Sequence, residues 1–545
     1  MDIVLFGVTG VLFVFFTITG WELERQGNIL WTAGHTAFIL ALSLILGIVA
    51  GMGIRFLFLF LEKKTKEEEA VIPQSSRKVW LISFGLLILA RLPFLLAYYP
   101  GICAYDTSVQ LGQVRAHEYN LHHPLAHTLL LKHTLDLGNL LSDTTIAMAL
   151  MVIGQVLFLS AVMAFGVAYL FQKGVKRGWL IFLQLTWMAY PFYGFLNVSV
   201  TKDIVFAIFF LLQMIVLTIK LSGEKRWRYD VLFVASSVLM QLYRNNGIYA
   251  FLVLEGFLFL GLLFWKKERR CMAWLFLEGA VSMVLGICVL AVLTKAMSAE
   301  QGDKREMLSV PIQQMARCMI YHGGVGVLPQ DDGTMQEVDK ALVNDFLLYE
   351  SYKNYDEKIS DPVKSSTNTF VVRYRTMDFL RTYFSLLKRY PGDMVNAFLA
   401  LNAGYVYMGD ESHGRIYELR QMEGLSYVHT RWDPIVEEYG IYRWKSFAGL
   451  RNVLTKWAND NGHLAIPGLK YLFVPALAFW GFLLILSNEI RRRNYKACFP
   501  LALVAGYYFT LFLGPCVQLR YLFPLLVVFP FSLCVGRMRT CLGKE

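Results

Sequence analysis

The chain of 545 residues lacks the marks of several common protein classes. Its eight cysteines are scattered, with no CxxC and no metal-ligand spacing, so neither a disulfide framework nor a zinc module is expected. It has no HExxH and no fixed-period repeat, which removes the solenoid architectures. The first apolar run has neither a basic n-region nor a small-residue cleavage site, so no cleaved signal peptide is expected. Charge is sparse at 17% of residues, and acids are outnumbered by bases, 41 to 52, for a net charge of +11. The bases fall in short clusters between apolar runs. That is the pattern of loops on the inner side of a membrane, not of a nucleic-acid surface, so nucleic acid is not an expected partner.

Apolar residues are what the chain has in excess. It is 56% hydrophobic with a mean hydropathy of +0.45, too apolar for a soluble protein of this length. Runs of about 20 apolar residues recur, each long enough to span a bilayer. The expected fold class is therefore an all-α polytopic membrane protein with about twelve transmembrane helices and a mostly helical outer domain. The expected spans are residues 3–21, 36–61, 79–99, 146–171, 180–196, 204–221, 231–242, 248–265, 273–293, 471–486, 498–513 and 521–535. The third carries Arg91 and Pro93, which read as a helix kink with a snorkelling arginine, or else as an arginine facing a polar cavity.

Orientation follows from the Lys and Arg distribution. Clusters at Lys63/Lys64/Lys66/Arg77/Lys78, Lys173/Lys176/Arg177, Lys220/Lys225/Arg226/Arg228, Lys266/Lys267/Arg269/Arg270, Arg491/Arg492/Arg493/Lys496 and Arg537/Arg539/Lys544 fall on one side. The other side has isolated cases: Arg25, Arg115, Lys132, Lys202, Arg244 and Arg520. The expected localisation is the cell membrane, multi-pass, with both termini cytoplasmic. The chain divides into residues 1–78 (two helices and a cytoplasmic linker), 79–297 (a helical core), 298–468 (an extracytoplasmic domain) and 469–545 (the last helices).

The outer charges gather at a few turns. The stretch PGICAYDTSVQLGQVRAHEYNLHHP, residues 100–124, follows the third span. It places the carboxylate of Asp106 just beyond a Pro-Gly break, either as an N-cap or as a reactive group whose basicity is expected to rise with partial desolvation. Gln110, His122 and His123 follow, with His127 four residues after His123. Two histidines alone do not complete a metal shell, so no metal site is assigned. Lys202 and Asp203 open the sixth span. Asp203 suits a helix N-terminus, and Lys202 suits a lipid phosphate. Tyr243-Arg244-Asn245-Asn246-Gly247 is a turn whose arginine suits bidentate phosphate binding, and Arg520 is either similar or an anchor. Asp331-Asp332-Gly333 reads as a turn, or else as a pair of carboxylates for a cation. Asn402, Tyr405 and Tyr407 read as a sugar-stacking surface or as ordinary packing.

A span, an outer loop carrying an aspartate, and charged residues at later outer turns together resemble the C-type (GT-C) membrane glycosyltransferases. The segments PGICAYDTSVQ, HHP, TKDIVF, YRNNG, SVPIQQMAR and SDPVK more closely resemble a bacterial membrane protein family of glycosyltransferase type, over residues 79–535. The resemblance implies transfer of a sugar from a polyprenyl-phosphate-linked donor, in contact with membrane lipid, to an extracytoplasmic glycan, lipid or protein acceptor. Asp106 then takes the place of the catalytic base, and Asp203 that of a second acidic residue. Lys202, Arg244 and Arg520 would hold the donor phosphate, with His122, His123, Gln110 and Tyr243 as further candidate substrate contacts. Two spans precede the core, and no second carboxylate adjoins Asp106, which departs from metal-dependent oligosaccharyl transfer. No particular cofactor is assigned, and a divalent cation stays open. The competing readings are a multispan transporter and a polysaccharide polymerase or lipid-handling protein.

Overall fold

An apolar segment in lipid must satisfy its own backbone hydrogen bonds, and a helix does so within one segment. The computed structural model describes residues 2–64, 75–103, 105–409, 434–459 and 468–538, and it is almost entirely helical. The first part comprises α1 (Asp2–Gln26), α2 (Ala33–Lys64), α3 (Ser76–Ala97), β1 (Ile102–Cys103), α4 (Tyr105–Ala116), α5 (Leu125–Leu141), α6 (Thr144–Gln172), α7 (Arg177–Ala189), α8 (Pro191–Asn197), β2 (Ser199–Val200), α9 (Lys202–Leu221), α10 (Trp227–Tyr243), α11 (Gly247–Phe264) and α12 (Arg269–Ala296). Next come α13 (Ser309–His322), α14 (Glu337–Phe346), α15 (Asp361–Lys364), α16 (Thr369–Tyr374), α17 (Thr376–Arg389) and α18 (Pro391–Val406). The chain continues with α19 (Pro434–Glu438), α20 (Ala448–Asn459), α21 (Ala476–Arg491), α22 (Tyr495–Phe512) and α23 (Leu519–Val535).

Seven helices among the described residues are long and apolar enough to cross a membrane: α1, α2, α3, α6, α9, α11 and the run ending in α12. The protein is thus an all-α, multi-pass membrane protein. The other expected spans also fall largely on helices, except that residues 471–475 precede the start of α21 and residues 180–196 do not form one continuous rod. The chain breaks between α7 and α8 at Tyr190–Pro191, because proline has no N–H to donate and disfavours helix in the residue before it.

Helix α9 is the centre. Nearly all of its residues are buried, whereas most of α3 is not. It is enclosed by α6, α10, α22 and α23. Arg91 of α3 does not snorkel. It is 1% exposed, donates from Nη2 to the carbonyl of Trp187, and lies 5.8 Å from the ring of Tyr193. Helices α1 and α2 meet backbone to backbone. A Cβ on Gly10 would fall 2.0 Å from Gly47 O, and one on Gly51 would fall 2.1 Å from Phe6 O. Small residues at such a contact let two helices approach closely in lipid.

Helices α13 to α17 surround a second apolar core that includes Ile312, Met315, Val343, Phe346 and Leu386. Helix α18 leaves it and runs beside the Gln26 end of α1. Trp31 Nε1 donates to Asn396 Oδ1 at 2.8 Å, and Trp480 Nε1 donates to Val406 O at 2.7 Å. The sugar-stacking reading of this helix fails. Asn402, Tyr405 and Tyr407 are 3%, 1% and 6% exposed, and the Tyr405 ring packs edge-on against Phe512. They are interior packing.

Candidate functional site

The site is organised by a very small sheet. Strands β1 and β2 pair in parallel, Ile102 opposite Ser199 and Cys103 opposite Val200. Gln155 of α6 braces the pair, donating from Nε2 to Asn197 O at 2.8 Å and Ser199 O at 3.0 Å. Gly101 leads in with φ +155°, where a Cβ would meet Val152 Cγ2 at 2.7 Å. Thr107 ties α4 to the same strand by donating to Val200 O. Because both strands run the same way, α4 and α9 begin side by side. Asp106 lies in the first turn of one, and Lys202 and Asp203 lie in the first turn of the other.

Around these two helix starts the charges interlock. Lys202 Nζ donates to Asp106 Oδ2 at 2.7 Å and to His123 Nδ1 at 3.0 Å. Arg520, in the first turn of α23, brings Nη1 to 3.4 Å from Asp106 Oδ2 and Nε to 3.5 Å from Asp203 Oδ2. Arg244, just after α10, donates to Asp203 Oδ1. Three cations therefore meet two carboxylates. Six residues separated by up to hundreds of positions, Asp106, His123, Lys202, Asp203, Arg244 and Arg520, form one cluster.

The members differ in access. Asp106, Lys202 and Arg520 have side chains 14%, 14% and 16% exposed, and Asp203 is fully buried. The Arg244 side chain is 9% exposed and lies among the rings of Phe206, Tyr507 and Tyr521 at 5.2 to 5.6 Å. It is committed to Asp203.

Burial was expected to raise the basicity of Asp106, and the arrangement corrects this. Burial does push its carboxyl up, but Arg520 and Lys202 outweigh it and hold the group well below the usual carboxylate range. Burial, reinforced by Lys202, lowers His123 to about 3, so its ring is neutral and its Nδ1 can accept from Lys202.

The remaining sequence candidates lie at the margin. Gln110 is buried and structural: its Oε1 is 2.9 Å from His127 Nδ1, and its Nε2 donates to Thr128 Oγ1 at 2.9 Å. It fastens α4 to α5. His122 is exposed, its ring edge-on to His123 at 4.5 Å. Tyr243 is half-buried against Phe209, with ring centroids 5.8 Å apart. Among the described residues, no three His, Cys, Asp or Glu side chains group to hold a metal ion.

Sequence reasoning missed the cover over this loop. The stretch from α19 to α20 folds back on it. Arg443 Nη2 donates to Gly101 O at 3.2 Å, Trp444 N to Tyr99 O at 3.3 Å, and Tyr98 OH lies 3.1 Å from Thr455 Oγ1. Residues of the 298–409 region add to it. Ser360 N donates to Pro515 O at 2.9 Å, and Leu121 N to Glu300 O at 2.9 Å. The aromatic and basic run YRWKS at residues 442–446 was the available signal.

Fold and site together define a polytopic helical membrane protein with a half-buried, mixed-charge cluster at paired helix starts. The chain belongs to the family of unknown function DUF6020, whose model matches residues 115–539. That stretch contains His123, Lys202, Asp203, Arg244 and Arg520, and Asp106 precedes it. No curated protein and no solved structure matches the chain.

Proposed function

We propose that the protein is a membrane glycosyltransferase that moves a sugar from a polyprenyl-phosphate-linked donor to an acceptor hydroxyl on the outer face. The proposal includes twelve spans, both termini in the cytoplasm, and the cluster at the outer ends of the helices, as the Lys and Arg asymmetry favours. The observation that carries it is the convergence of Lys202 and Arg520 on one partly accessible carboxylate, Asp106.

A phosphate oxygen competes with Asp106 for both cations. As the donor docks, Lys202 and Arg520 turn to it and release Asp106, whose basicity rises once the two charges are shared. Asp106 then accepts the acceptor's proton. The acceptor oxygen forms a bond to the anomeric carbon, the bond from that carbon to the phosphate oxygen breaks, and the departing lipid phosphate takes the electron pair. Lys202 and Arg520 stabilise that charge where it develops. Asp203, fixed by Arg244, positions Arg520.

The test is transfer of labelled sugar from a polyprenyl-phosphate donor by purified protein. Asp106→Asn keeps size and capping ability but cannot accept the proton. Transfer should fall about 10²- to 10⁴-fold with thermal stability matched. Near-normal turnover in the Asn variant rejects the base, and no transfer by the wild type from any lipid donor rejects the reading. A secondary transporter is the runner-up, favoured by the buried Arg91 and Glu255 within helices.

A further inference from the structure

Glu255 stands at the middle of the 18-residue α11 and takes no part in the charge cluster. It is 6% exposed, yet among the described residues neither carboxylate oxygen has a hydrogen-bond partner. Its seat is a notch in α12: a Cβ on Gly279 would lie 1.7 Å from Glu255 Oε1. Along a different face of α11, α22 packs closely, with Gly506 against Ala250 and Val253, and Phe499 against Gly261. The α22 residues between those contacts, Pro500 to Ala505, carry no ionisable group.

The charges on the helices packed against α11 are engaged elsewhere or stand at helix ends. Glu278 of α12 accepts from Lys220 Nζ at 2.8 Å, and Asp230 of α10 also pairs with Lys220. Lys496 of α22 pairs with Glu268 at 2.6 Å. Arg228, Arg269 and Arg270 lie in the first turns of α10 and α12, and Lys295 lies in the last turn of α12. An ionised carboxylate without partners, inside a bundle and away from water, is strongly disfavoured, whereas the neutral acid is tolerated.

We propose that Glu255 is an intramembrane proton-binding site, a carboxylic acid kept neutral in the Gly279 notch. Its ligand is the proton itself. Binding makes the packing of α11 on α12 electrically neutral, and release leaves an unpaired anion there. The inference does not depend on the transferase reading.

Infrared spectroscopy of the full-length protein in lipid tests it without any reagent having to reach the site. The carboxylic-acid C=O band is recorded at neutral pH in H₂O and D₂O. The expected result is an acid band that shifts in D₂O, persists through neutral pH and disappears in Glu255→Gln. No acid band in the wild type at neutral pH overturns the proposal without recourse to a variant. A band that survives in Glu255→Gln belongs to another carboxyl and overturns it too. Loss of the band when sodium replaces choline in the buffer would make the ligand a metal cation instead, which also overturns it.

Discussion

Arg244 and Arg520 both read from the sequence as lone arginines on a sparsely charged side, but their surroundings separate them. Arg244 is enclosed by aromatic rings and committed to Asp203, whereas Arg520 bridges both carboxylates and reaches the partly exposed Asp106. Arg244→Ala should cost about 3 kcal/mol or more of stability, because it weakens the compensation of a buried carboxylate. Arg520→Ala and Lys202→Ala should instead fold and lose donor use. Thermal denaturation and donor titration of the three variants check this, and a stable Arg244→Ala that loses only donor affinity would reverse the assignment. Each charge of the site was legible because it broke an apolar background. Its partners were not, because they depend on a parallel pair of two-residue strands, too short to leave a periodic signal. The expected rise in Asp106 basicity failed for the same reason: burial was foreseeable, and the two cations that outweigh it were not. A second residue-scale expectation concerns His322. Its ring lies 3.0 Å from Asp332 through Nδ1 and 3.0 Å from Asp393 through Nε2, and it stacks on Tyr390. Burial disfavours its cation, but the two carboxylates prevail and raise it above its ordinary value. A raised folded value means the stabilisation is complete below about pH 6.5 and is lost as pH rises through that raised value. The thermal midpoint of the wild type should therefore fall between about pH 6 and about pH 9 more than that of His322→Gln. Parallel pH curves for the two would reject it.

At the scale of elements, helix existence was the most legible feature, because about 20 apolar residues have few other ways to satisfy their backbone in lipid. Continuity was less so. The run 180–196 is apolar throughout, and Pro191 alone divides it into α7 and α8. Close helix contacts are set by glycines that hydropathy treats as neutral. Gly47 and Gly51 lie one turn apart on α2, and at Gly47 a Cβ would fall 2.3 Å from Val11 Cα. Gly47→Val should force α1 and α2 apart and lower the thermal midpoint, whereas Gly53→Val, at a position with nothing within 4 Å, should not. Cysteine pairs placed across the two helices report the separation directly, and equal crosslinking in both variants would count against the close contact.

At the scale of the whole molecule, the functional reading turns on which side of the membrane holds the 298–409 region, since that region and α19 to α20 bond to segments that flank the charged cluster. The region packs its own apolar core and also reaches the Gln26 end of α1, where Arg317 Nη2 donates to Gly27 O at 3.0 Å and to Asn28 Oδ1 at 2.9 Å. It is therefore fixed to the α1–α2 turn and cannot change sides independently of it. The basic loop after α9 lies at the opposite end of α9 from Lys202, so the two sites require opposite exposure. Single cysteines in place of the exposed residues Gln330 and Lys225 separate the orientations. In intact cells a membrane-impermeant thiol reagent should label the Gln330→Cys protein beyond the wild-type background. It should label Lys225→Cys only after the membrane is opened. The reverse pattern would put the Asp106 cluster in the cytoplasm, where an acceptor on the outer face cannot reach it, and the transferase assignment would fall with the topology.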